Sequence, residues 1–116
     1  MSSTPGPLLA NRGQPEDCAA QAGVLGLTPG LALEVAPHDI LVDGVAPGWV
    51  DTGGSSRRGL AAGQATPMGR TARQDEIARR LAFLASDDST YITEQLIVID
   101  GGSGIDAYHG PRELDS

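Results

Sequence analysis

Apolar residues recur at helical spacing through Ala20, Val24, Leu27, Leu31 and Val35, so the pattern predicts a first helix from about Asp17 to Ala36. Its weak point is Thr28-Pro29-Gly30, because an internal proline lacks a donor and clashes with the preceding turn, ~3 kcal/mol, and glycine adds about 1 more. A kink or break is expected there. The next run, "ILVDGVA" from Ile40 to Ala46, is mostly apolar without alternation, as in a strand buried on both faces, and Pro47 and Gly48 end it. Residues 51–67, "DTGGSSRRGLAAGQATP", show little periodicity and read as a long loop, a candidate lid. Thr71 followed three residues later by Gln74 resembles a capping box, and Ile77, Leu81, Leu84 and Ala85 form the inner stripe of a second helix that stops at "SDDS". "QLIVID", Gln95 to Asp100, is a second buried strand closed by Gly101 and Gly102.

Helix, strand, helix, strand with buried strands predicts an α/β fold, a parallel pair of strands joined by a right-handed crossover. The chain reads as one partial domain: a turn-rich lead-in over residues 1–16, the folded portion over 17–102, and a tail over 103–116. Two parallel strands alone leave both outer edges unpaired, so the pattern implies that a neighbour on one side is missing.

Composition narrows the chemistry. With 116 residues, 40% hydrophobic but only 3% aromatic, the chain can build one core, made of aliphatic side chains that bury less area than rings. The net charge of −7 argues against nucleic acid and anionic membrane surfaces as partners. All eight basic residues are arginine, which removes a phosphate-binding P-loop lysine, a Schiff-base lysine and any tyrosine/lysine acid-base couple. Cys18 is the only cysteine, so no intrachain disulfide or multi-cysteine metal site is expected, and a reducing, cytoplasmic setting fits. It reads as a small helix residue. His38 and His109 have no partner at metal-ligand spacing and read as surface residues, so no metal site is predicted. The uninterrupted apolar runs fall short of the ~20 residues of a membrane span, and the N-terminus has no basic start; a soluble, non-secreted protein is expected.

The order of the pieces then resembles a known family. "VAPGWVDT", "MGR", "FLASDDSTYIT" and "VIDGG", in this order, are similar to the C-terminal part of the short-chain dehydrogenase/reductases, NAD(P)-dependent oxidoreductases built on a Rossmann sheet. The resemblance covers about residues 2 to 102 and implies the C-terminal portion of a doubly wound parallel sheet, with about two strands and two main helices. In that frame Pro47, Gly48, Val50 and Thr52 are the cofactor-binding residues. The family's loop at these positions lies against the nicotinamide of NAD or NADP and holds its carboxamide through backbone at Val50 and hydroxyl at Thr52. The glycine-rich first turn that would hold the pyrophosphate is not among these 116 residues.

The same resemblance places Asp17 where the family keeps its tyrosine and Gln21 where it keeps its lysine, one helical turn apart. Hydride transfer in the family needs a proton donor to the alkoxide, tuned by a neighbouring ammonium. A carboxylic acid with an ordinary value near ~3.9 is ionised at pH 7 unless its surroundings oppose ionisation by ~4 kcal/mol. An amide carries no charge to tune anything. Helix capping by aspartate is the simpler reading of Asp17. Ser3 or Thr4 falls at the family's serine position, Tyr108 and Arg112 imitate the lost tyrosine-lysine spacing without a helix between them, and "GGSG" near residue 101 reads as a turn. Arg57 and Arg58 lie in the segment that covers substrate in intact relatives.

Two functions stay open from the sequence. One is an NAD(P)-dependent oxidoreductase by resemblance, which predicts dinucleotide binding and turnover, although the chain reads as truncated and inactive with no catalytic residue assigned. The other is a non-catalytic remnant that forms a homo-oligomer or pairs with an intact relative.

Overall fold

A computed structural model of the chain describes residues 15–54 and 56–105. Ser3, Thr4, Tyr108, His109, Arg112 and nearly all of the predicted lead-in and tail lie outside the described residues. The first element is α1 (Pro15–Val35), with Glu16 and Asp17 in its first turn, where negative charge is favoured by the exposed amides. It runs unbroken through Pro29, so the break expected at Thr28 to Gly30 does not occur. The proline removes one bond, to the carbonyl four residues back, from a ladder long enough that the neighbouring turns hold it. The Thr28 hydroxyl donates to the Val24 carbonyl (2.9 Å), tying the turn that precedes the ring.

A short 3₁₀ turn (Ala36–His38) ends at Asp39, which adopts a left-handed conformation (φ 57°) and donates its amide to the Ala36 carbonyl at 3.0 Å. The chain then enters β1 (Gly44–Pro47), which pairs in parallel with β4 (Leu96–Ile99) in the register Gly44↔Leu96 to Pro47↔Ile99. The predicted strand therefore begins four residues late, with Ile40 and Leu41 exposed before it. Side chains explain the shift. The Val42 amide donates to the Thr93 hydroxyl (3.1 Å) and the Gln95 amide to the Asp43 carboxylate (3.0 Å), replacing ladder bonds just ahead of the sheet.

Because the Gly44 amide donates to the Gln95 carbonyl and the Gly48 amide to the Ile99 carbonyl, alternate residues of β1 bond to β4. Pro47 sits at a position turned away from β4, so its missing N–H leaves no gap in the ladder. All four residues of β1 are buried, with Val45 and Ala46 almost fully so. Burial on both faces thus holds for β1 but not for β4, whose Val98 is exposed.

The segment read as an unstructured loop contains α2 (Arg57–Gln64), capped by the Ser56 hydroxyl, which accepts the Gly59 amide at 3.1 Å. Its eight residues are too few, and too rich in small side chains, to give a helical apolar period. It is flanked by a second parallel ladder of two short strands, β2 (Val50–Asp51) and β3 (Ala72–Arg73). The crossover helix α3 (Gln74–Leu84) packs on β1 through buried Ile77, while Leu81 and Ala85 of the predicted inner stripe are exposed. Its cap lies two residues beyond the predicted Thr71: Glu76 reaches back to accept the Arg73 amide at 2.9 Å. The helix ends at "SDDS" as expected, where the Ser86 hydroxyl donates to the Phe83 carbonyl at 2.7 Å.

Pro15–His38 is long and apolar enough to cross a membrane, and only 11% of its most apolar window is buried. Single acids, glycines and a proline divide it into short runs, which hid its overall hydropathy from a search for uninterrupted apolar stretches.

Candidate functional site

Ligands of open α/β sheets bind beyond the carboxyl ends of the strands. At the carboxyl end of β1 the chain makes a continuous turn, Pro47 to Thr52, that leaves one ladder and joins the other. Pro47 is buried as the last residue of β1, and Gly48 anchors the exit through its bond to Ile99 (2.9 Å). The Trp49 carbonyl accepts the Ala72 amide (2.8 Å). That bond fixes the polarity of the second ladder: Ala72 is the bonding residue opposite Val50, so the amide and carbonyl of Val50 face away from β3. One donor and one acceptor on the same edge complement a primary carboxamide, which presents the reverse pair. Thr52 follows on the exposed side, and Asp51 accepts the Gly53 amide through Oδ1 (2.9 Å), stabilising the turn after it.

A cleft of about 70 Å³ adjoins this turn, lined among others by Trp49, Met68, Arg70, Ile99 and Gly101. Its wall is held by an ion pair with two parallel bonds, Arg70 Nη1 to Glu76 Oε1 (2.7 Å) and Nη2 to Oε2 (3.0 Å). The Arg70 side-chain bonds, joined by the Arg73 amide, hold the Glu76 carboxyl down at about 2, from an ordinary 4.5. A depressed carboxyl contributes stability that is complete above its unfolded value and is lost as pH falls through the folded one. Stability is therefore expected to fall between about pH 4.5 and pH 2, and Glu76→Gln to flatten that part of an acid-denaturation profile; carbonyl-carbon NMR titration of Glu76 checks the midpoint.

The glycine-rich turn after β4 offers no anion cradle. The Gly102 and Gly104 amides donate to the two oxygens of the Asp100 carboxylate (2.9 and 2.8 Å), so the chain's own acid fills the concavity. Gly101 and Gly102 have positive φ (63° and 91°), which that turn requires. This turn therefore does not fit a pyrophosphate.

The other sequence-derived residues are dispersed. Asp17 is exposed in the first turn of α1, with Gln21 half-exposed one turn later on the same side. Cys18 is half-buried beside them. His38 is exposed at the end of the 3₁₀ turn, and Arg57 and Arg58 are exposed in the first turn of α2. Sequence reasoning missed Trp49 as a wall of the cleft and Gln74 as a contact to the loop, since neither carries a chemistry-specific spacing.

Comparison with known proteins is decisive at this point. Residues 7–104 match the family described as enoyl-(acyl carrier protein) reductase, and the fold superimposes on a double variant of a Serratia marcescens short-chain dehydrogenase/reductase with a TM-score of 0.80 at 31% identity. The chain belongs to the short-chain dehydrogenase/reductase family. Among curated members, the chain is 40% identical over 99 residues to the 3-oxoacyl-[acyl-carrier-protein] reductase FabG of Thermotoga maritima. It is 40% identical over 100 residues to FabG of Escherichia coli K12. These alignments cover 82% and 81% of the chain but 40% of each relative, and the Serratia superposition covers 89% of the chain and 43% of that protein. Acetoin dehydrogenase from Enterobacter cloacae superimposes with a TM-score of 0.79 at 30% identity, over 95% of the chain and 43% of its own. The expected partial Rossmann-type α/β fold of a short-chain dehydrogenase/reductase is the fold observed.

Proposed function

We propose that this member of the short-chain dehydrogenase/reductase family keeps the nicotinamide-facing part of an NAD(P) site and does not carry out hydride transfer as this polypeptide. The observation that carries the reading is the outward-turned donor-acceptor edge of Val50 at the carboxyl end of β1, with Pro47, Gly48 and Thr52 forming the rest of the turn. The likeness to FabG reductases supports a redox ancestry. Against turnover stand Asp17 and Gln21. Asp17 is an exposed acid where the family keeps a phenol, and Gln21 has no positive charge to favour ionisation of a neighbour as the family's lysine does. The Pro47 to Thr52 turn supplies the carboxamide contacts alone, so binding is expected near the millimolar range, ~−4 kcal/mol.

Trp49 is the sole tryptophan and lies within the turn, so its fluorescence reports occupancy directly. Titration with NADH and NADPH is expected to give weak, saturable quenching, with no oxidation of alcohols or reduction of carbonyls above background. Turnover well above background that Asp17→Ala abolishes overturns the non-catalytic reading; absent quenching overturns the cofactor reading.

A specific observation favours a second reading, association with another chain. Leu27 and Leu33 of α1 are 63% and 81% exposed, on a helix whose buried residues are Thr28 and Ala32. An apolar helix this exposed is expected to be covered in a soluble protein. The candidates are a second copy or an intact family member. Sedimentation velocity over a hundredfold range of concentration separates a self-associating chain from a monomer.

A further inference from the structure

The ladder that orients the proposed carboxamide edge is very short. β2 and β3 pair over two positions, Val50↔Ala72 and Asp51↔Arg73, and a two-residue ladder has little stability of its own. Its first end is closed by the bond from the Ala72 amide to the Trp49 carbonyl (2.8 Å). The Arg73 amide is committed elsewhere, to the Glu76 carboxylate (2.9 Å). At the far end, the Gln74 side chain reaches across 23 positions of sequence and donates Nε2 to the Asp51 carbonyl (3.2 Å).

That contact governs two peptide groups. The Asp51–Thr52 peptide is planar and trans, so a carbonyl drawn toward α3 sends the Thr52 amide the opposite way. By the alternation of the ladder, an Asp51 carbonyl held toward β3 also keeps the Val50 amide and carbonyl on the outer edge. Gln74 itself is anchored as the first residue of α3, a helix whose start is fixed by Glu76 and Arg70. Gln74 therefore ties the loop to the start of α3 through a neutral side-chain donor.

We infer that Gln74 is the positioning residue of this loop, holding the Val50 edge in the orientation that accepts a primary carboxamide. The inference rests on the reading of the turn as a nicotinamide-facing site. Gln74 touches no ligand in this role; it acts through Asp51.

The test compares the full chain with Gln74→Leu, which keeps bulk and removes the donor, and Gln74→Arg, which restores one. Without ligand, hydrogen exchange at the Asp51 amide, which faces β3, is expected to speed up about two- to tenfold in Gln74→Leu, the scale of one neutral hydrogen bond. It should return toward the wild-type rate in Gln74→Arg, while exchange at Gly48 and circular dichroism stay constant. Nicotinamide mononucleotide is expected to shift the Val50 amide resonance in the wild type, and nicotinic acid mononucleotide, which lacks the amide donors, to shift it less. The Gln74→Leu chain should need about two- to tenfold more mononucleotide for the same shift. Unchanged Asp51 exchange in Gln74→Leu overturns the inference whatever the ligand does. Faster exchange with no response to nicotinamide mononucleotide in the wild type upholds Gln74 as the anchor of the loop and overturns the carboxamide reading instead.

Discussion

Gly63→Ala is expected to destabilise the protein by about 2–3 kcal/mol, the upper range for adding a methyl group to a packed site. Gly63 is buried near the end of α2, where the chain approaches the start of β3. A Cβ there would stand 2.8 Å from the Thr71 amide nitrogen and 3.0 Å from its Cα, and it would also overlap the Thr71 methyl. A side chain could rotate away, but two of these atoms are backbone. Relief requires α2 and the strand to separate, which pulls on the Ala72 amide that closes the β2–β3 ladder. The same substitution should therefore disturb the Val50 edge as well as global stability. Gly59→Ala provides the contrast within the same helix: its Cβ would lie 3.5 Å from the Ser56 hydroxyl, ordinary contact, and helical propensity predicts a gain of up to about 1 kcal/mol. Denaturant melts of the two variants against the parent decide the matter. Equal stability of all three chains would show that the helix and strand are free to move apart.

This close approach explains why so much of the loop region was hidden in the sequence. "GLAAGQATP" reads as a loop because its residues are small and aperiodic, yet smallness is what lets α2 lie against Thr71. The Ser56 cap was available as a signal, since a serine followed by an eight-residue stretch free of proline is a helix start without a stripe. The helices α1 and α3, by contrast, were legible, as was the parallel pairing of two apolar runs, although α1 buries Thr28 and Ala32 rather than the predicted stripe, whose Val24, Leu27 and Leu31 are exposed. The boundaries moved where side chains stood in for backbone. Thr93 and Asp43 delayed β1, and Glu76 moved the start of α3 past Thr71.

The site divides in the same way. Pro47, Gly48, Val50 and Thr52 are proposed through a motif, and they lie in one turn at the end of a parallel strand. What the motif could not supply is the polarity of the second ladder, which depends on the Trp49–Ala72 bond across 23 positions. Gln74 was equally invisible. A glutamine at the first position of a helix is ordinary, and its value lies in reaching Asp51 rather than in its type.

Pro29→Ala is expected to act in the opposite direction, stabilising the chain by about 2 kcal/mol. The ring occupies the interior of α1, where proline is ~3 kcal/mol worse than alanine because it lacks an N–H and crowds the carbonyl four residues back. Part of that gain is returned through the unfolded chain, which loses the restriction proline imposes, about 0.4–1 kcal/mol. Pro29 is exposed, so removing the ring leaves no cavity. The restored amide would find the Leu25 carbonyl in helical register and complete the ladder beside the turn that Thr28 already ties to Val24. The expected signature is a higher denaturation midpoint at unchanged slope, with a stronger far-ultraviolet helical signal. A gain below about 0.5 kcal/mol would place the strain elsewhere. Thr28→Ala in the Pro29→Ala background separates the two contributions: the Thr28 hydroxyl matters more while the proline is present, so the two effects should fall short of additive.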